Sequence, residues 1–178
     1  MEKNLRHNLE KLFRDSNSID ALFDAFQILI FKKIDDLNLF KILLANPTLS
    51  PDELKFFTDK ISSEFKHQSY EVFYWTATIF ETKFGCNDYA FNYYVKTINV
   101  KPFKYEPFLN LISLFDYEMD TLTNRAIIEF VENAVEFVDC KSKVFNFLAS
   151  HYLKTGNDCM SRIYEAKAEQ SQRDECED

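Results

Sequence analysis

The stretch EVFYWTATIFETKFGCNDYAFNYYVKTINVKPFK, Glu71 to Lys104, carries the pattern that decides the fold. Before Gly85, Val72, Trp75 and Ile79 recur three and four residues apart, which is helical rather than strand spacing. After it, Ala90 and Tyr94 stand four apart on a second periodic run, and Pro102 lies beyond that run. The spacing predicts two helices, 70–84 and 87–99, joined by a turn at Gly85. A small residue at Ala90 lets the second helix close onto the first, and Tyr94, one turn on, fills the gap between neighbouring hairpins.

The same arrangement returns further along. Thr121 lies 36 residues after Gly85, and Gly156 another 35. Five positions beyond these turns come Ala126 and Ser161, then Phe130 and, beside Tyr164, Glu165. Helices are predicted over 106–118, 122–138, 141–154 and 157–170, with the polar residues 169–178 frayed. Upstream, Leu5, Leu9, Leu12 and Phe13 make one face of a first helix, and Ser18 caps a second that runs through Phe31. A third, Leu37 to Leu44, stops before Asn46-Pro47, because proline keeps the preceding residue out of the αR region. Ser50, Pro51 and Glu53 spell a capping box with proline at the first helical position, opening a fourth helix that ends near Lys66. The expected fold is all-α, with about ten helices in stacked antiparallel hairpins.

Gly85, Ala90, Tyr94 and Pro102 in one unit, Tyr117, Ala126 and Phe130 in the next, and Leu148, Ala149, Tyr152, Gly156 and Ala168 in a third resemble the tetratricopeptide repeat. Thr78 and Leu114 depart from its small-residue position and Glu81 from its tyrosine. The resemblance implies a right-handed superhelix: degenerate helical pairs or a cap over 1–66, three hairpins over 67–172, and a disordered acidic tail over 173–178. It also implies that the first helix of each hairpin lines a concave groove. Carried over by register, the groove takes Val72, Trp75 and Ile79, then Phe108, Leu111 and Phe115, then Lys143, Asn146 and Ser150. Such a floor, apolar with a polar end, suits an apolar peptide or an amphipathic helix. The alternative for the apolar members is that they are simply core.

Composition narrows the function. The net charge of −8 and the absence of a basic cluster beyond Lys32-Lys33 argue against nucleic acid and against an anionic membrane surface. The longest uncharged apolar stretch, Val72 to Phe80, falls well short of the roughly 20 residues of a membrane helix. With no signal-like start and no paired spacing among Cys86, Cys140, Cys159 and Cys176, the thiols are expected reduced and the protein cytoplasmic. Asp116, Glu118 and Asp120 have the 1-3-5 spacing of a calcium loop, but Thr121 and Ile127 stand where glycine and glutamate are required. His7, His67 and His151 are scattered, and no nucleophile, phosphate-loop or metalloprotease motif accompanies them. The expectation is a non-enzymatic adaptor or chaperone-like subunit that binds another protein without a cofactor. A self-associating scaffold, a homo-oligomer built through exposed ends, is the second expectation. Calcium, zinc or reductant is predicted to leave the thermal midpoint unchanged; a shift of several degrees would reveal a ligand set that the spacing does not show.

Overall fold

A computed structural model describes residues 2–119 and 121–177, and the side chains of 4–119 and 121–175. Among the described residues there are ten α-helices, two short 3-10 turns and no strand, so the chain is all-α. None of these helices is long and apolar enough to cross a membrane. The chain divides into two compact units between Cys86 and Asn87.

The first unit holds α1 (Glu2–Asp15), α2 (Ile19–Phe31), α3 (Leu37–Leu44), α4 (Pro51–Glu64) and α5 (Ser69–Thr82). Polar side chains start the middle three. Ser18 accepts from the Ala21 amide, Asp36 from those of Asn38 and Leu39, and Ser50 and Glu53 close the capping box ahead of α4. α1 packs on α2 and α3, and α5 packs on α3 and α4. Phe13, Leu22, Phe40, Phe57 and Phe80 are fully buried. Asn46, also buried, ties the end of α1 to the turn after α3: its Nδ2 donates to the Phe13 and Ser16 carbonyls at 2.8 and 3.1 Å. Thr58 and Thr76 pair their hydroxyls at 2.8 Å across the buried seam of α4 and α5.

The second unit holds α6 (Asn87–Val100), α7 (Glu106–Ser113), α8 (Leu122–Ala134), α9 (Lys141–Lys154) and α10 (Asp158–Glu177). α7 packs on α6, α8 and α9, while α9 and α10 form a long antiparallel hairpin. Tyr94, Phe108, Leu111, Ile127, Val131, Val144 and Leu148 build its core.

Three expectations need correction. The seventh helix stops at Ser113 rather than 118. Buried Asn124 claims the backbone beyond it, accepting from the Asp116 amide at 2.9 Å and donating to the Asp116 and Met119 carbonyls at 2.7 and 2.6 Å. The turn that resembles a calcium loop is thereby held by a side-chain amide; its Asp120 lies outside the described residues. The tail expected to be disordered over 173–178 is helical through Glu177, because Glu175 accepts from the Ser142 amide at 3.0 Å and from its hydroxyl at 2.6 Å; Asp178 lies outside the described residues. Finally, the boundary expected after residue 66 falls at Cys86/Asn87. The Thr58–Thr76 pair and the Trp75 indole, which donates to the Lys41 carbonyl at 3.2 Å, bind α5 into the first unit.

Gly85 and Gly156 both take the left-handed backbone, at φ 60° and 76°, past the ends of α5 and α9. A Cβ at either would meet nothing within 4 Å, so backbone freedom rather than space is what each supplies. Thr121, the third turn position, is instead the N-cap of α8. Ala90 is fully buried, whereas Ala126 is only partly so. Leucine at Ala90 is expected to cost about 1–3 kcal/mol by overpacking, and leucine at Ala126 distinctly less. Urea melts of the two variants check this, and equal losses would contradict the packing described.

Candidate functional site

The expected groove residues separate into two environments. Val72 and Ile79 are buried on α5, and Phe108 and Leu111 are buried on α7. The core alternative describes these four, and an open apolar floor at their positions is corrected accordingly: each lies on a helix whose apolar stripe is consumed by neighbours in its own unit. Trp75 is half-buried, its indole bonded to the Lys41 carbonyl and its ring 5.6 Å from the Lys41 ammonium. Phe115 is half-buried beyond α7, edge-to-face on His151 at 4.4 Å.

Lys143, Asn146 and Ser150, by contrast, all face solvent on α9. Helix α9 buries Val144, Phe145, Leu148 and His151 on one side. On the other side stand these three residues with Phe147, Leu153 and Lys154, and Phe147 and Leu153 are 43% and 59% exposed. A lysine closes each end. The Lys143 ammonium lies 3.9 Å from the Tyr105 ring centroid, and that of Lys154 lies 5.4 Å from the Tyr117 ring. Hydrogen bonding to Tyr105 raises the Lys143 pKa above its ordinary value. At about 1.5 Å rise per residue the two lysines are spaced by roughly 16 Å along the helix.

Behind this face lies a polar cluster. Glu132, on α8, accepts at Oε1 from Tyr152 of α9 and from Tyr164 of α10, each at 2.7 Å. The two phenol rings stack with centroids 5.6 Å apart and planes 3° from parallel. Burial first, then the bond to the Glu132 carboxylate, pushes both phenols well above their ordinary pKa. His151 is buried beside them, with its Nδ1 3.2 Å from the Tyr117 hydroxyl, and burial lowers its pKa. An open cleft of about 550 Å³ runs along α8, lined by Phe115, Asn124, Arg125, Ile128, Glu129, Glu132 and Asn133. A second, of about 400 Å³, lies at the mouth of the α9–α10 hairpin where Glu175 meets Ser142.

Among the described residues no three of His, Cys, Asp and Glu gather as metal ligands. Cys86, Cys140 and Cys159 are free thiols, and the side chain of Cys176 lies outside the described residues. Sequence reasoning placed Tyr152 and Tyr164 as packing residues and did not see Glu132. It lies 20 and 32 positions from them, and no local period connects the three. No family model, no curated protein and no solved structure matches the chain.

The buried histidine gives a pH dependence with a definite sign. The fold holds His151 neutral below the value of about 6.5 at which an unfolded histidine protonates. The unfolded chain therefore binds the extra proton just below that value, and stability drops as pH falls through it, with no such effect above. Between pH 7.5 and 5.5 the thermal midpoint of the native chain is expected to fall more than that of His151→Gln. Equal losses in the two would refute the assignment.

Proposed function

We propose that the chain is a non-catalytic protein-interaction module built from helical hairpins, and that the solvent face of α9 receives an amphipathic helix of a partner protein. One observation carries the reading. Phe147 and Leu153 are exposed on the outward arc of a helix whose other side is packed, about 120° apart around its axis, with Asn146, Ser150 and the two lysines between and beside them. Surface aromatic and aliphatic side chains that share a face, bordered by polar groups, are the usual makings of a helix-in-groove contact. Charge defines the partner further. The charged residues exposed on this face of α9 are Lys143 and Lys154, on a chain whose net charge is −8. The complementary segment carries apolar residues at i, i+3 and i+7 with carboxylates towards its ends. Adaptor or chaperone-like action of this kind matches the resemblance to tetratricopeptide hairpins.

Self-association is the second reading, and the first helix lends it little. Leu9 is buried, and Leu5 and Leu12 are half-buried, so α1 offers no open apolar face.

Paired variants test the proposal. Phe147→Glu and Leu153→Glu are expected to leave helicity and melting nearly unchanged while partner capture from the native source falls at least tenfold, about 1.4 kcal/mol. Phe108→Glu, at a buried position, is expected to unfold or strongly destabilise the second unit. Undiminished capture by both α9 variants would exclude this face.

A further inference from the structure

The Glu132 cluster does more geometrically than satisfy two tyrosines. Both hydroxyls converge on a single oxygen, Oε1. Among the described residues Oε2 has no hydrogen bond, yet it is not one of the buried unpaired polar atoms, which are Ser62 Oγ and Glu106 Oε2. The second oxygen therefore reaches solvent, and Glu132 lines the cleft along α8. Two donors from two different helices fix the carboxylate plane, so that its free oxygen is held rather than swept through rotamers. Phe115 lines the same cleft, and Ile128 adds apolar wall. Glu129 and Glu132 outnumber Arg125 among its charged groups.

We infer that this cleft is a cation-recognition site, in which Glu132 Oε2 accepts from an alkylammonium group while the alkyl stem lies against Phe115 and Ile128. Three features of the cleft select that ligand class. A pre-oriented carboxylate oxygen is an acceptor only, which excludes an anion. Phe115 lines the same cleft, and an aromatic ring there adds quadrupole attraction for a cation without a competing hydrogen bond. The volume of about 550 Å³ takes a flexible four-carbon stem with its ammonium, and Phe115 and Ile128, the apolar members of a mostly polar lining, match that stem. The same chemistry comes from two sources, a lysine side chain of a protein partner or a free polyamine. This site is separate from the face of α9 and stands or falls independently of it.

The test is calorimetric and NMR titration of the full chain at physiological salt with two probes: a blocked Gly-Lys-Gly tripeptide and spermidine. A blocked Gly-norleucine-Gly tripeptide serves as the uncharged control. Glu132→Gln keeps an acceptor for both tyrosines while removing the charge, and its melting curve verifies that the fold is intact. The expected result is saturable binding of at least one cationic probe, none of the norleucine peptide, and at least tenfold weaker binding in Glu132→Gln. Glu165→Gln, exposed on α10, is expected to bind like the native chain. Tighter binding of the tripeptide assigns the site to protein side chains, and tighter binding of spermidine assigns it to polyamines. Should Glu132→Gln fail to fold, Phe115→Leu takes its place, with several-fold weaker binding expected. Equal affinity in the native chain and the variant, or no saturable binding of either cation, would overturn the inference.

Discussion

Short helices cannot stand alone in water. A nucleus that fixes several residues for one hydrogen bond makes isolated helices under about a dozen residues marginal, so each must bury an apolar stripe against neighbours. The eight-residue α3 and α7 state the constraint most sharply. Each is buried through four residues: Leu39, Phe40, Leu43 and Leu44 on α3, and Pro107, Phe108, Leu111 and Ile112 on α7. On each the main apolar stripe is spent on neighbouring helices, and Phe108 and Leu111 belong to the interior. In the second unit, the exposed apolar side chains Phe147 and Leu153 belong instead to a helix long enough to bury one side and keep another open, namely α9.

Apolar burial brings helices together without deciding how they stop or where they cross. That task falls to a few buried polar groups. Asn46 and Asn124 play equivalent parts in the two units, each binding backbone carbonyls at or beyond a helix end. A buried carbonyl without a donor costs more than the bond itself returns, so such side chains are strict about the loop they accept. Glu175 meets the opposite need at the start of α9, accepting from the Ser142 amide where the Cys140 N-cap makes no side-chain bond. The helix dipole and an amide donor together favour a carboxylate there. The consequence is that the chain's acidic end is ordered through Glu175 by its opposite end of the hairpin.

The proposed function rests on how α9 divides its circumference. Its inner side carries Val144, Leu148 and His151 into the core, and Tyr152 towards Glu132. Its outer side is left with Phe147, Leu153 and two lysines. One helix thereby packs the core of the second unit and displays a surface upon it. Donors from two helices at once hold the Glu132 carboxylate in place.

Much of this was legible in the chain itself. Periodicity at three and four residues located all ten helices, because an amphipathic stripe is a local property. Capping chemistry fixed the start of α4, since Ser50, Pro51 and Glu53 act on their own backbone. Gly85 and Gly156 marked helix ends because only the left-handed region was at stake. What sequence could not assign was which neighbour each stripe meets. Val72 and Ile79 read as groove or as core, and the repeat register joined α5 to the helix after it. Those choices rest on contacts between residues 18 to 34 positions apart, such as Thr58 with Thr76, Trp75 with Lys41, and Glu132 with Tyr152 and Tyr164. The helix end at Ser113 likewise depended on an asparagine beyond the turn competing for its backbone. Helices were written locally, whereas their partners, the exposed face of α9 and the anchored carboxylate arose only when distant side chains were packed to close density.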